Sequence, residues 1–453
     1  MLRRRLAAVS VVVFAAAVAA LAAQAGPPGS WTRITDKSGR NVDQVGVART
    51  GDGVLHVFWR RRVAATTDAL RHTSITAAGK ARASSQVLDP MRVIGDPDAV
   101  VLPDGRLRVF FPGLGDTAEA GGVMAATGTA VGTGWKREGI RVSSITSSLG
   151  SVGAAVTKSG ESIFSYTLSF GVGYHVGIDP ADKDGQLRAD KQCCDYNSDL
   201  ATDTKTGQTW VAYTSNAKGR VGTWVQQVLP LVGKRMLVPG SATKGQAIGV
   251  DQRVAITSRL GASGVYVAAC QGYPVCTKAL LWRAGGKTLT VGQSPDIEDL
   301  HTSAGPDGRV WVAWHDGRAK RIFAVRTNRA ATRVGPLVEV KPPAGTSNMW
   351  KLTGEGSPGP LDLLVSASTK GSLATWHTQV LPPLSITVKK GTPAATIVVS
   401  DAGDPVQGAK VSVAGKTLTT SASGAVKVAL PSVKVAVKAT KAGYASATAS
   451  VSG

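Results

Sequence analysis

A β-propeller followed by a small β-sandwich is the all-β fold this sequence predicts, on three observations. First, one phrase recurs seven times between Asp43 and Ser368: an alternating apolar run, a short Gly- or Asp-rich turn, and a second apolar run ending near an aromatic or small residue. The copies are Asp43–Trp59, Asp98–Phe111, Ser151–Tyr166, Ser198–Tyr213, Arg253–Ala269, Asp299–Trp314 and the weaker Trp350–Ala367. Their ends recur at intervals of about 45 to 56 residues, the period of a propeller blade. Second, no stretch holds a helical period capped at both ends, while Val, Ala, Thr, Gly and Pro are abundant, as strands and tight turns require. Third, Pro382 and Pro383 end the pattern, and the chain beyond them is nearly free of aromatics. Seven blades are expected; six is the alternative, because the last copy is weak.

Taken in order, residues 1–25 read as an export signal. Arg3, Arg4 and Arg5 precede the apolar stretch Leu6–Ala23, and Ala23-Gln24-Ala25 forms a small-x-small cleavage site before Gly26. An uncleaved anchor is the alternative, since the apolar stretch is almost long enough to cross a bilayer. No Cys follows that stretch, and no apolar tail or sorting sequence closes the chain, so a secreted, extracellular protein without a stable membrane anchor is expected. Ser30–Thr35 reads as an outermost strand with no blade ahead of it. Pairing beside Ser372–Leu381 would close the ring with strands from both ends of residues 30–382 and remove exposed sheet edges. Within the ring each phrase supplies two inner strands. The turns Gly51–Gly53, Pro103–Gly105, Lys205–Gly207 and Pro306–Gly308 suit tight hairpins. Ala69–Ala77 and Val123–Val131 follow as third strands and Trp135–Ser144 as a fourth.

Residues 384–453 form a second domain rich in Val, Ala, Thr and Lys. The turn Gly403-Asp404-Pro405, the strand opening at Gly408-Ala409, the hairpin Ser423-Gly424 and the pair Gly443-Tyr444 resemble the carboxypeptidase regulatory-like (transthyretin-like, Ig-like) domains of secreted proteins. The resemblance implies an accessory β-sandwich that spaces, stiffens or binds, and that carries no catalytic residue. Its lysines at 410, 416, 427, 434, 438 and 441 are expected on the solvated face.

The formal charge is +22, about +19 once Arg3, Arg4 and Arg5 leave with the signal. Such an excess favours polyanions. No nucleic-acid-binding motif occurs and the destination is extracellular, so nucleic acid is excluded as a partner. Wall or matrix polyanions stay open. Cys193 and Cys194 are adjacent, and Cys270 and Cys276 flank a short loop. In an oxidising setting these are disulfide cysteines. A local Cys270–Cys276 bridge with a vicinal Cys193–Cys194 bridge is one pairing, and two bridges from the adjacent pair to the next blade is another. No CxxC or nearby His completes a zinc set, so no metal site is assigned from them.

First strands of all blades begin on one face of a propeller, close to its axis. Asp43, Asp96, Asp98, Asp199, Asp251, Arg253, Glu298, Asp299 and His301 stand at those starts. Converging carboxylates suit a hard cation such as Ca²⁺ or an acid–base pair for a glycoside; the bland alternative is that each Asp caps its own turn. Asp98, Asp199, Asp299 and Arg253 are the catalytic candidates, with Asp43, Asp96 and His301 as binding candidates. His301 and His315 otherwise read as structural. Asp182-Lys183-Asp184-Gly185 reads as a plain turn. Trp59, Trp210, Trp311 and Trp314 are expected to pack between blades, whereas Tyr174, Tyr196 and Tyr273 lie near loops, where a ring can stack on a sugar. Phosphate-binding GxxxxGK[ST], HExxH and GxSxG are absent from the sequence.

Phrases such as Asp96–Phe111 and Asp307–Arg318 resemble the sialidase-like, BNR-repeat propellers of bacterial secreted proteins. True sialidases carry Asp boxes, and the nearest match here, Gly207-Gln208-Thr209-Trp210, has Lys205 where the box requires Asp. It also lies in the wrong turn. The resemblance therefore implies the fold more than the reaction. A secreted binding protein for extracellular or wall polysaccharide, or for a protein surface, is the expectation. A sialidase-like glycoside hydrolase using axial carboxylates is the alternative.

Overall fold

Each phrase becomes an antiparallel pair of strands in the computed structural model, which describes residues 29–35, 44–114, 122–143, 151–170, 173–181, 188–189, 194–242, 253–272, 275–391 and 393–452. The first phrase gives Gly46–Arg49 against Leu55–Ala64, with Val47 opposite Val57. The second gives Asp98–Val101 against Leu107–Leu114, and the third Val152–Val156 against Ser162–Phe170. Asp195–Asp203 pairs with Gln208–Ser215, and Ile256–Ser258 with Val265–Gln271. Thr288–Ala304 pairs with Val310–Asp316, and Thr346–Glu355 with Leu361–Thr369. Third and fourth strands extend the sheets outward, as Thr67–Ile75 and Ser85–Gln86 do in the first. Gly105 and Gly207 sit in the hairpin turns at φ 83° and 80°, a left-handed conformation that glycine adopts without a Cβ penalty.

The first strands touch in a closed cycle. Gly46–Arg49 lies against Asp98–Val101, and contact passes through each following phrase until Thr346–Glu355 lies back against Gly46–Arg49. This is a propeller. Its core is divided among the gaps between neighbouring sheets: Phe58 and Leu70 meet Phe111 and Met124, Phe110 meets Phe164 and Tyr166, and Trp311 and Ile322 meet Leu352 and Leu363. Alternation explains this, since successive side chains of an inner strand face opposite neighbours. Trp59, Trp311 and Trp314 are buried in these gaps, as expected, while Trp210 is half-buried.

Closure uses both ends of the ring. Thr32 pairs with His377 and Arg33 with Trp376, and Ile34 and Leu364 share a cluster with Val57 and Trp59. Ile34→Ala should cost roughly 2 kcal/mol, the low end for a buried Ile at a sheet edge, read as a lower urea midpoint with an unchanged slope. One feature departs from the expected plan. Thr288–Ala304 is a single strand of 17 residues that pairs with Cys276–Arg283 at its start and with Val310–Asp316 at its end. It fuses the sheets of the fifth and sixth phrases into one of seven strands.

Residues 384–452 form two four-stranded sheets around a core of their own, built from Ile397, Val399, Val411, Val437 and neighbours. They dock on the propeller through charge. Asp401, in this sandwich, lies 2.6 Å from Arg326 Nη2 and 2.9 Å from Arg309 Nε. Asp404 lies 2.9 Å from Arg309 Nη2 and accepts the Arg329 N–H at 2.7 Å. The Arg326 guanidinium is flanked by Trp311 of the propeller and Tyr444 of the sandwich, at 5.3 and 5.5 Å.

Candidate functional site

Arg253 opens the first strand of the fifth phrase and lies inside the axis, its side chain 5% exposed. It donates to Val152 O at 3.1 Å and to Val45 O at 3.0 Å, and its Nη1 lies 2.8 Å from Asp98 Oδ1. One guanidinium therefore ties the first, second and third phrases to the fifth. The second oxygen of Asp98 accepts the Ala154 N–H of the next blade at 2.8 Å. Asp299 repeats the device: Oδ1 accepts Leu300 N–H at 2.8 Å and Oδ2 accepts Leu352 N–H of the next blade at 2.6 Å. His301 donates to Gly354 O at 2.8 Å, again across a blade boundary. Burial holds the His301 imidazole down at about 4, so it is neutral at pH 7.

Asp96 is buried, and burial pushes its carboxyl up to about 6 against the opposing charges of Lys351, Arg60 and Arg253. Asp199 accepts the N–H of Leu200 at 2.7 Å through Oδ1. Burial first, and the Asp98 charge second, raise its carboxyl well above the usual range, with Arg253 only partly compensating. Asp98, Asp199, Arg253 and His301 line one axial cavity of about 60 Å³, together with Gln44 and Thr302. That is room for about two water molecules. Ligand pockets for sugar-sized molecules run to roughly 300 Å³ and above.

Sequence position thus brought Asp96, Asp98, Asp199, Arg253, Asp299 and His301 to the axis. It did not show that Asp98, Asp299, Arg253 and His301 would spend polar atoms on neighbouring blades. No group of three or more His, Cys, Asp or Glu side chains is arranged to hold a metal ion among the described residues. Tyr196 is 5% exposed, so its ring is closed to a sugar, and burial pushes its hydroxyl up to about 12. Tyr174 lies in the strand Gly173–Pro180. Asp43, Asp182 to Gly185, Asp251, Tyr273 and Cys193 lie outside the described residues. Cys270 and Cys276 are bridged, with Cα atoms 5.6 Å apart, and Cys194 is disulfide-bonded.

The strand starts hold a further feature, and it concerns a residue that sequence reasoning passed over. Three inner strands carry a β-bulge near the start: between Tyr196 and Asp199, between Ile297 and Asp299, and between Met349 and Leu352. Bulges re-aim side chains and gather beside binding sites. In the last two they turn Glu298 and Trp350 outward, with the Glu298 side chain 44% and Trp350 39% exposed. Both address one buried ring. His315 Nε2 donates to Trp350 O at 3.1 Å, and its Nδ1 lies 3.7 Å from Glu298 Oε2. An exposed Trp and a half-exposed carboxylate therefore occupy neighbouring strand starts, in the seventh and sixth phrases, joined through His315. Burial raises the Glu298 carboxyl modestly, helped by Asp296 and Asp316.

No protein-family model matches the chain, and no curated protein matches it. Among solved structures, a protein of unknown function from Dyadobacter fermentans is similar at 12% identity and TM-score 0.47, over 78% of this chain and 98% of that one. The polysaccharide lyase Uly1 is similar at 10% identity and TM-score 0.46, over 76% and 91%. The Hadza microbial sialidase Hz136 is similar at 11% identity and TM-score 0.47, over 77% and 68%. Likenesses at this level assign no activity.

Proposed function

We propose that this chain is an exported carbohydrate-binding protein: a seven-bladed propeller that engages extracellular polysaccharide at its rim, with a regulatory-like sandwich as accessory domain. The observation that carries this is the axial cavity of about 60 Å³, too small for a sugar, where Asp98 has both oxygens engaged, as does Asp299 outside the cavity. The axis works as a tie rod, which leaves recognition to the rim. There Trp350 offers a flat face for the apolar side of a pyranose, and Glu298 accepts its hydroxyls.

A glycoside hydrolase is the second reading, and one observation favours it. Asp98 and Asp199 share a cavity and differ in environment, the condition under which one carboxyl serves as acid and the other as base. A glycan array and a fluorogenic glycoside panel separate the two. Trp350→Ala should weaken glycan binding about tenfold, and no glycoside should turn over. Turnover that disappears in Asp199→Asn would establish the hydrolase instead.

A further inference from the structure

The charge of the C-terminal sandwich is segregated by its docking. Residues 384–453 contain eight lysines, no arginine, no glutamate and two aspartates. Both aspartates, Asp401 and Asp404, face the propeller and are neutralised by Arg309 and Arg326, with side-chain exposures of 3% and 16%. Seven of the lysines are exposed and Lys441 is half-buried. What the docked sandwich shows to solvent is therefore positive side-chain charge alone.

The lysines are also ordered by the strands. Lys389 and Lys427 flank Thr396 across three adjacent strands of one sheet. On the outer face of the other sheet, Lys438 pairs with Ser412 and Lys410 with Thr440. Cations and hydroxyls thus alternate on both broad faces. Each exposed ammonium contributes little to binding by itself, so such a surface discriminates against small anions and favours a ligand that meets many lysines at once. An ammonium is a point charge that takes phosphate or carboxylate equally well.

We propose that the C-terminal sandwich is the polyanion-binding element of this protein. Its ligand is a linear extracellular polymer bearing repeated phosphate or carboxylate groups. The proposal shares only the extracellular setting with the glycan site at Trp350, and the two fail separately. Soluble polyphosphate, polygalacturonate and uncharged glycans are the probes, titrated against the chain from residue 26 onward. One variant carries Lys389→Gln, Lys410→Gln, Lys427→Gln and Lys438→Gln; a control carries Lys80→Gln, Lys136→Gln, Lys287→Gln and Lys341→Gln, all exposed on the propeller.

The sandwich variant should bind the charged polymers about tenfold more weakly, with a shallower dependence on salt, while its unfolding midpoint and its binding of uncharged glycans stay unchanged. The propeller control, with the same net charge, should lose less than about threefold. Tighter binding of polyphosphate or of polygalacturonate identifies the anion. Equal losses in the two variants, or no binding of either charged polymer by the parent chain at about 0.15 M salt, would overturn the proposal.

Discussion

Arg253→Ala should destabilise the propeller by roughly 3–5 kcal/mol, the cost of removing one partner from a buried ion pair. The substitution strands the Asp98 carboxylate and frees the carbonyls of Val45 and Val152, which now accept from the guanidinium. Because those acceptors belong to three different phrases, the loss is not local to one blade. Urea unfolding checks this: the midpoint should fall, and Arg253→Lys should recover only part of it, since an ammonium cannot reach all three acceptors in one plane. A midpoint within experimental error of the parent would mean that the axial guanidinium is no tie. A typical domain's total stability of about 5–15 kcal/mol makes this change close to decisive for folding.

Acid should unfold this protein early, and its histidines are the reason. Burial depresses His56, His301 and His315 to about 4 and His72 to about 3. His56 and His72 stack with ring centroids 5.2 Å apart and share a 2.9 Å hydrogen bond between Nδ1 and Nε2, so a proton on one is opposed by the other. A histidine depressed in the folded state contributes stability that is complete above its unfolded value near 6.5 and is lost as pH falls toward the folded value. Between pH 6.5 and 5 each contributes a loss of roughly 2 kcal/mol. Asp96, Asp179, Asp199 and Glu298, raised in the folded state, run the opposite way, because the native protein takes up their protons more readily. The four histidines, held at about 3 to 4, outweigh these carboxyls and leave a net fall on the order of a kcal/mol or more. Thermal midpoints across that window should drop toward pH 5, and the drop should shrink in a His56→Gln, His72→Gln double variant. A flat or rising profile toward pH 5 would contradict the assignment.

The ring was legible in the sequence because its signal is periodic. Alternating apolar residues, a turn and a recurrence of about 50 residues are all local patterns, and the orphan strand at Ser30–Thr35 announced the closure that Thr32 and Arg33 make. The fusion through Thr288–Ala304 was not legible. Its middle reads Gln293-Ser294-Pro295-Asp296, a run with turn chemistry and a proline that cannot donate to a ladder, yet tertiary pairing on both sides keeps it extended. At the site, position along each phrase located the axial carboxylates, but their partners are backbone groups of the next blade. Ala154 lies 56 residues from Asp98 and Leu352 lies 53 from Asp299, separations at which no local pattern operates. Trp350 was missed for another reason. A bulge shifts the two-residue alternation: in the structure, Asn348-Met349-Trp350-Lys351-Leu352 ends with Lys351 and Leu352 both buried, a break that the residue types do not announce.

In the proposed function the axis holds the blades and the rim holds the ligand. The affinity of Asp199→Asn and of Trp350→Ala for the polysaccharide that binds the parent chain, measured side by side by calorimetry on folded protein, tests it most directly. Asp199→Asn should bind within about twofold of the parent and Trp350→Ala about tenfold more weakly. Loss of binding in Asp199→Asn with Trp350→Ala unaffected would place the ligand on the axis and contradict the account.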